Sequence, residues 1–226
     1  MRCYQFTTTD LVFLTKFTIL IIFMKTATKE FWFALCCWAT IIAQYVLLLD
    51  TKMTSVVEAT FRFFTFFTIL TNILVAIVFT ALWLKPKNSF SFFTRFNTMS
   101  ATAVYIFVVG FVYNTVLRFI WEPKGLQRLV DEMLHLIIPI VFISYWLYSL
   151  NSNSIQWKSI FKWLIYPMVY LVVILIRGEF ADYYPYPFVN VLELGFPKVL
   201  LNSILLTLFF GLVSIVAIGV VRYRNK

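Results

Sequence analysis

Residues 61–84 read FRFFTFFTILTNILVAIVFTALWL, a run of 24 residues in which Arg62 is the single charge. As an α-helix rising about 1.5 Å per residue it would be about 36 Å long, enough to cross the ~30 Å hydrocarbon core of a bilayer. Five more runs of this kind lie at residues 31–49, 99–120, 133–150, 160–176 and 199–221. The expectation is an all-α polytopic membrane bundle of six transmembrane helices over residues 31–221, within a single integral membrane domain spanning residues 1–226. A further run, residues 11–24, is short and carries Lys16. It fits a signal-like or interfacial extension better than a span, with an extra short N-terminal hydrophobic helix as the alternative.

The whole composition agrees. Of 226 residues, 62% are apolar, 20% aromatic and only 13% charged, with a mean hydropathy of +0.87. Soluble domains carry roughly a quarter charged residues, so most of this chain must face lipid. Six crossings of about 20 residues leave only short connections and tails, with no room for a separate soluble domain. The net charge of +9 would suggest nucleic acid in a soluble protein. Here it is read as orientation signal and contact with anionic membrane lipids, so no nucleic-acid partner is expected. Cys3, Cys36 and Cys37 offer neither a disulfide framework nor a metal-ligand spacing.

Charge distribution sets the expected topology. One side of the six-helix arrangement collects Lys25, Lys29, Lys85, Lys87, Arg95, Lys158, Lys162, Arg222, Arg224 and Lys226 with Glu30 as its only acid. That side is expected to be cytoplasmic, with both termini inside. The opposite side mixes Lys52, Arg62, Arg118, Lys124, Arg128, Arg177 and Lys198 with Asp50, Glu58, Glu122, Asp131, Glu132, Glu179, Asp182 and Glu193. Paired charges are what a polar site needs, so chemistry is expected at that end. Pro139 and Pro167 lie inside the fourth and fifth spans and are expected to kink them. The longest connection on the mixed-charge side, residues 178–198, carries YYPYPF at 183–188, suited to an ordered cap at headgroup level.

Polar side chains inside spans cost a few kcal/mol at the bilayer centre, and they mark either helix–helix bonding or a site. In RFFTFFTILTN, residues 62–72, the spacing places Thr65, Thr68 and Asn72 on one helical face with Thr71 beside them. The plain reading is back-bonding to the helix itself. His135 is the only histidine; one imidazole cannot build a metal site, and its ordinary fate is a packed, hydrogen-bonded residue. Asp131 and Glu132 precede it by four and three residues, from where a carboxylate can fix its tautomer or simply cap the helix. Thr68 and His135 fall at overlapping depths, and a threonine hydroxyl needs such a base within hydrogen-bonding reach to act as a nucleophile. Asn114 lies four residues before Arg118, which ends the third span, and Arg177 ends the fifth. Each arginine suits bidentate capture of a lipid carboxylate, or pairing with Glu122, Glu179 or Asp182. Asn72 and Asn114 are candidate donors to an oxyanion. Phosphate-loop, Rossmann, HExxH and GxSxG patterns are absent, and no cofactor is indicated.

The ordered set RFFTFFTILTN, YNTVLR, WEPKGLQ, HLIIP, WLIYPMVYLVVILIRG and YYPYPFVNV resembles the bacterial Pr-six-Pr branch of the androgen-induced gene 1 protein superfamily, across about residues 31–221. The resemblance implies a multi-pass hydrolase of fatty acid esters of hydroxy fatty acids in a bacterial inner membrane, with an intramembrane threonine nucleophile and a histidine general base. Thr68 is the position most like that threonine, with Thr65 and Thr71 as alternatives, and His135 the position most like that histidine. Asn114 stands where the bacterial branch is expected to carry another histidine. The expected function is a threonine-dependent lipid ester hydrolase acting on a fatty acyl ester. The alternative is a non-catalytic membrane protein that binds or transports a lipid or small molecule.

Overall fold

The computed structural model describes residues 28–85, 87–150 and 155–224; the run at residues 11–24 lies outside them. The described residues are helical with no strand: α1 Lys29–Asp50, α2 Val56–Thr65, α3 Phe67–Leu84, α4 Phe96–Thr115, α5 Leu126–Glu132, α6 Ile138–Tyr148, α7 Ser159–Ala181, α8 Val191–Leu194 and α9 Phe196–Arg224. A π-helical segment, Met133–Ile137, joins α5 to α6. Six helical units are long and apolar enough to cross a membrane: α1, α3, α4 with the 3₁₀ turn after it, α5 through α6, α7 and α9. The protein is an all-α polytopic bundle.

The centre is α3 against α4. Val75, Ala76, Val78 and Phe79 of α3 and Ile106 of α4 are fully enclosed, whereas α7 is the most exposed unit. Helix α1 packs on α3, α6 and α9 pack on α4, and α7 packs on α9. A second small cluster of Ile174, Tyr184, Val189 and Val199 seats the aromatic connection between α7 and α9. Gly178 makes that seat, because a Cβ there would come within 2.0 Å of the Tyr184 ring.

Both internal prolines free a carbonyl that another helix then satisfies. Pro167 has no N–H for the Trp163 carbonyl, and the Tyr105 hydroxyl donates to it instead at 2.6 Å. Pro139 does the same within the π segment. Ile138 N–H reaches back five residues to the Met133 carbonyl, so the Leu134 and His135 carbonyls face the proline nitrogen in the π and α registers respectively. Asn72 Nδ2 donates to Leu134 at 3.3 Å and Asn114 Nδ2 to His135 at 3.2 Å. Gly110 lets α4 approach this carbonyl, since a Cβ would meet the His135 oxygen at 3.0 Å.

Three sequence expectations need correction. The continuous span over residues 61–84 is broken at Phe66, whose backbone is extended (φ −79°, ψ 120°). Thr65 therefore ends one helix while Thr68 and Asn72 begin another, and the three do not share a helical face. The fourth span begins at Leu126 rather than at residue 133, so His135 lies nine residues past its start. The aromatic connection is also more than a headgroup cap, because it dips into the bundle.

Candidate active site

The break at Phe66 opens the backbone inside an apolar setting, and two tyrosines fill it. Tyr170 of α7 donates its hydroxyl to the Thr65 carbonyl at 2.7 Å. Tyr186, from the connection after α7, accepts the Thr68 N–H at 3.2 Å. Its oxygen lies 3.3 Å from Thr68 Oγ1. Thr68 is the second residue of α3, among the first-turn amides that have no intrahelical partner. The positive end of the helix dipole is thus beside its hydroxyl. Thr65 donates to the Arg62 carbonyl at 2.6 Å and Thr71 is fully enclosed in the bundle, leaving Thr68 as the threonine of the trio that faces open space.

That space is a cavity of about 420 Å³ that both Thr68 and His135 line. The bundle core walls it with Phe63, Ile69 and Leu134, while the exposed Thr51, Ile120, Trp121 and Pro187 mark where it reaches the surface. Imidazole orientation is fixed twice over. His135 Nδ1 is 2.9 Å from the Asp131 carbonyl, and a carbonyl can only accept, so Nδ1 carries the proton and Nε2 keeps its lone pair. The ring also stacks on Tyr113 with centroids 3.7 Å apart.

The remaining predicted residues take other places. The Asp131 carboxylate is 4.0 Å from Nδ1 and accepts from Trp121 Nε1 at 2.8 Å and Gln127 Nε2 at 3.3 Å. Asp131 thus orients His135 through its main chain. Asn72 and Asn114 do not line the cavity; their amide N–H groups hold the carbonyls around the π segment, so they support His135 rather than face an oxyanion. Arg118 pairs with Glu132. Arg177 pairs with Glu58 at 2.9 Å. Neither arginine lines the cavity, and neither partner is one of the acids expected from the sequence.

Several residues of the site were not anticipated. Tyr186 is the side-chain partner of the Thr68 hydroxyl, and burial pushes its phenol above the ordinary tyrosine range, so it stays a neutral donor. Gln44 and Gln127 join across the cavity wall at 2.9 Å, tying α1 to α5. A signal existed for Gln44, an amide deep in the apolar run IIAQYVLLL. None existed for Tyr186, which shares its segment with two other tyrosines.

Glu58, Arg62, Arg177 and Tyr183 clamp the aromatic connection from the side. Glu58 accepts from Arg62 at 2.8 Å and from Arg177 at 2.9 Å, and these guanidinium groups, Arg62 first, hold its carboxyl below the usual range. Both guanidinium groups also lie over the Tyr183 ring, at 4.2 and 5.5 Å from its centroid.

Compared with known proteins, the chain matches no protein-family model, no curated protein and no solved structure.

Proposed function

We propose that the protein is an intramembrane lipid ester hydrolase in which Thr68 is the nucleophile and His135 the general base. The observation that carries the reading is that these two side chains line one cavity, with the Nε2 lone pair of His135 left free by the bond at Nδ1. Thr68 Oγ1, which bonds to Tyr186 and not to His135 in this structure, attacks the ester carbonyl once the imidazole closes across the cavity, and His135 Nε2 takes its proton. The developing oxyanion lies at the N-terminus of α3, where Tyr186 is the donor at hand and the helix dipole favours negative charge. His135 returns the proton to the departing alcohol, and water, activated by the same imidazole, clears the acyl-threonine.

The chemistry of the cavity suits a fatty acyl ester delivered from the membrane, as the resemblance to hydrolases of fatty acid esters of hydroxy fatty acids implies. The charge asymmetry supports an inner-membrane orientation with both termini cytoplasmic and the site towards the opposite face. In purified protein, Thr68→Ala and His135→Ala should each lower release of acid from an ester lipid by about a hundredfold or more with unchanged yield. Tyr186→Phe should lower it about tenfold to a hundredfold. Undiminished release by Thr68→Ala would remove the mechanism.

A second reading, a non-catalytic lipid binder, is favoured by one observation: the Asp131 carboxylate bonds to Trp121 and Gln127 rather than to the imidazole. It predicts that these substitutions lower thermal stability and ligand affinity while no ester is cleaved.

A further inference from the structure

Two chambers meet at Thr68. Beside the cavity of about 420 Å³ lies a second of about 70 Å³, between α3, α4, α7 and α9, and Thr68, Leu117 and Tyr186 line both. The small chamber is apolar in effect. Its Ser203 and Thr207 hydroxyls donate to carbonyls of their own helix, and its Tyr170 hydroxyl goes to Thr65. Val108, Val109, Leu171 and Leu206 are among its walls. His135 lines only the large chamber.

An ester has two arms, and a nucleophile set in a partition divides them. The base that takes the Thr68 proton must hand it to the leaving alkoxide, so the alcohol arm departs on the side of His135. The acyl arm, which remains on Thr68 Oγ1, then occupies the small chamber. A cavity of about 150 Å³ accepts benzene, so the small chamber takes about three carbons and the large one on the order of fifteen. We propose that the substrate is an ester of a short, unbranched acyl group, about four carbons with its carbonyl, and a long-chain lipid alcohol. This rests on the hydrolase reading and departs from the long fatty acyl arm that the resemblance implies. In the step, the Thr68 Oγ1–acyl carbon bond forms while the carbon–alkoxy bond breaks, and the proton passes through His135 to the alcohol. Water then cleaves the acyl-threonine and releases a short carboxylic acid.

Two isomeric esters decide the assignment, hexadecyl butanoate and butyl hexadecanoate, offered to the purified full chain in liposomes. The expected result is a kcat/KM at least about tenfold higher for hexadecyl butanoate, and a decline of similar size when butanoate is lengthened to octanoate. Leu206→Ala, which enlarges the small chamber, should move the acyl optimum to longer chains, and Val109→Phe should move it to acetate. Equal rates, or preference for butyl hexadecanoate, abolished in both cases by Thr68→Ala, would overturn the chamber assignment and leave the hydrolase reading standing. Optima unmoved by both chamber variants would overturn it too. No cleavage of either ester would remove both.

Discussion

The two ends of the bundle hold their charges in different ways. At the end where α1 begins and α9 finishes, cations rest on aromatic faces. Lys29 lies over Tyr145 and Tyr148, Arg222 over Trp157, and Arg224 donates to the Leu147 carbonyl. Glu30 is the acid present, and it accepts from the Tyr145 hydroxyl. At the site end, cations also lie over rings, Arg62 and Arg177 over Tyr183 and Arg118 over Tyr113, but they meet carboxylates as well: Arg62 and Arg177 share Glu58, and Arg118 pairs with Glu132. Parked cations fix a helix end at an interface and need no particular partner. Shared carboxylates fix one element relative to another. Here the Glu58 cluster holds the aromatic connection against α2 through Tyr183, beside the contact of Tyr186 with Thr68.

Breaking the site end at its tightest contact should have the largest effect. Gly178→Ala drives a Cβ into the Tyr184 ring, which should displace the aromatic connection, cost about 1–3 kcal/mol and abolish the proposed ester hydrolysis. Crosslinking across the far end, between α1 and α6, should persist in that variant. Loss at both ends together would mean that the bundle has no such division.

The π segment gives the next largest effect. Asn114→Ala leaves the His135 carbonyl short of a donor and should cost about 1–2 kcal/mol. In a Pro139→Ala background residue 139 regains its N–H, so the same change should cost less than half as much. Equal costs in a thermal double-mutant cycle would show that proline does not create the need for Asn114.

The smallest effect is the acid response of the clamp. Because the folded carboxyl of Glu58 titrates below its ordinary range, its stabilising contribution is complete above the unfolded pKa and lost as pH falls through the folded one. The thermal midpoints of wild type and Glu58→Gln should therefore differ at neutral pH and converge below the ordinary carboxylate range. A gap that persists at pH 2 would show that the clamp does not depend on this carboxylate.

Much of the fold was legible because lipid imposes a simple demand. Long apolar runs must be helices that satisfy their own backbone, and six such runs gave six helical units. Pro139 and Pro167 were legible as interruptions. Which groups fill the freed carbonyls was not, because Asn72, Asn114 and Tyr105 belong to other helices. The break at Phe66 had no local mark, for FRFFTFFT holds neither Gly nor Pro. It persists because two hydroxyls more than a hundred residues away bond its open backbone.

Composition and spacing alone therefore determined the solvent, the helical class, the number of long apolar helices among the described residues and the short set of polar residues that needed explaining. Side-chain roles were decided only in three dimensions. Hydrogen bonds are short and directional, so whether an amide supports a carbonyl or faces a cavity depends on angles between helices that periodicity does not encode. The same local pattern placed Thr65 against its own helix and Thr68 at the junction of two chambers, and a backbone turn between them made the difference.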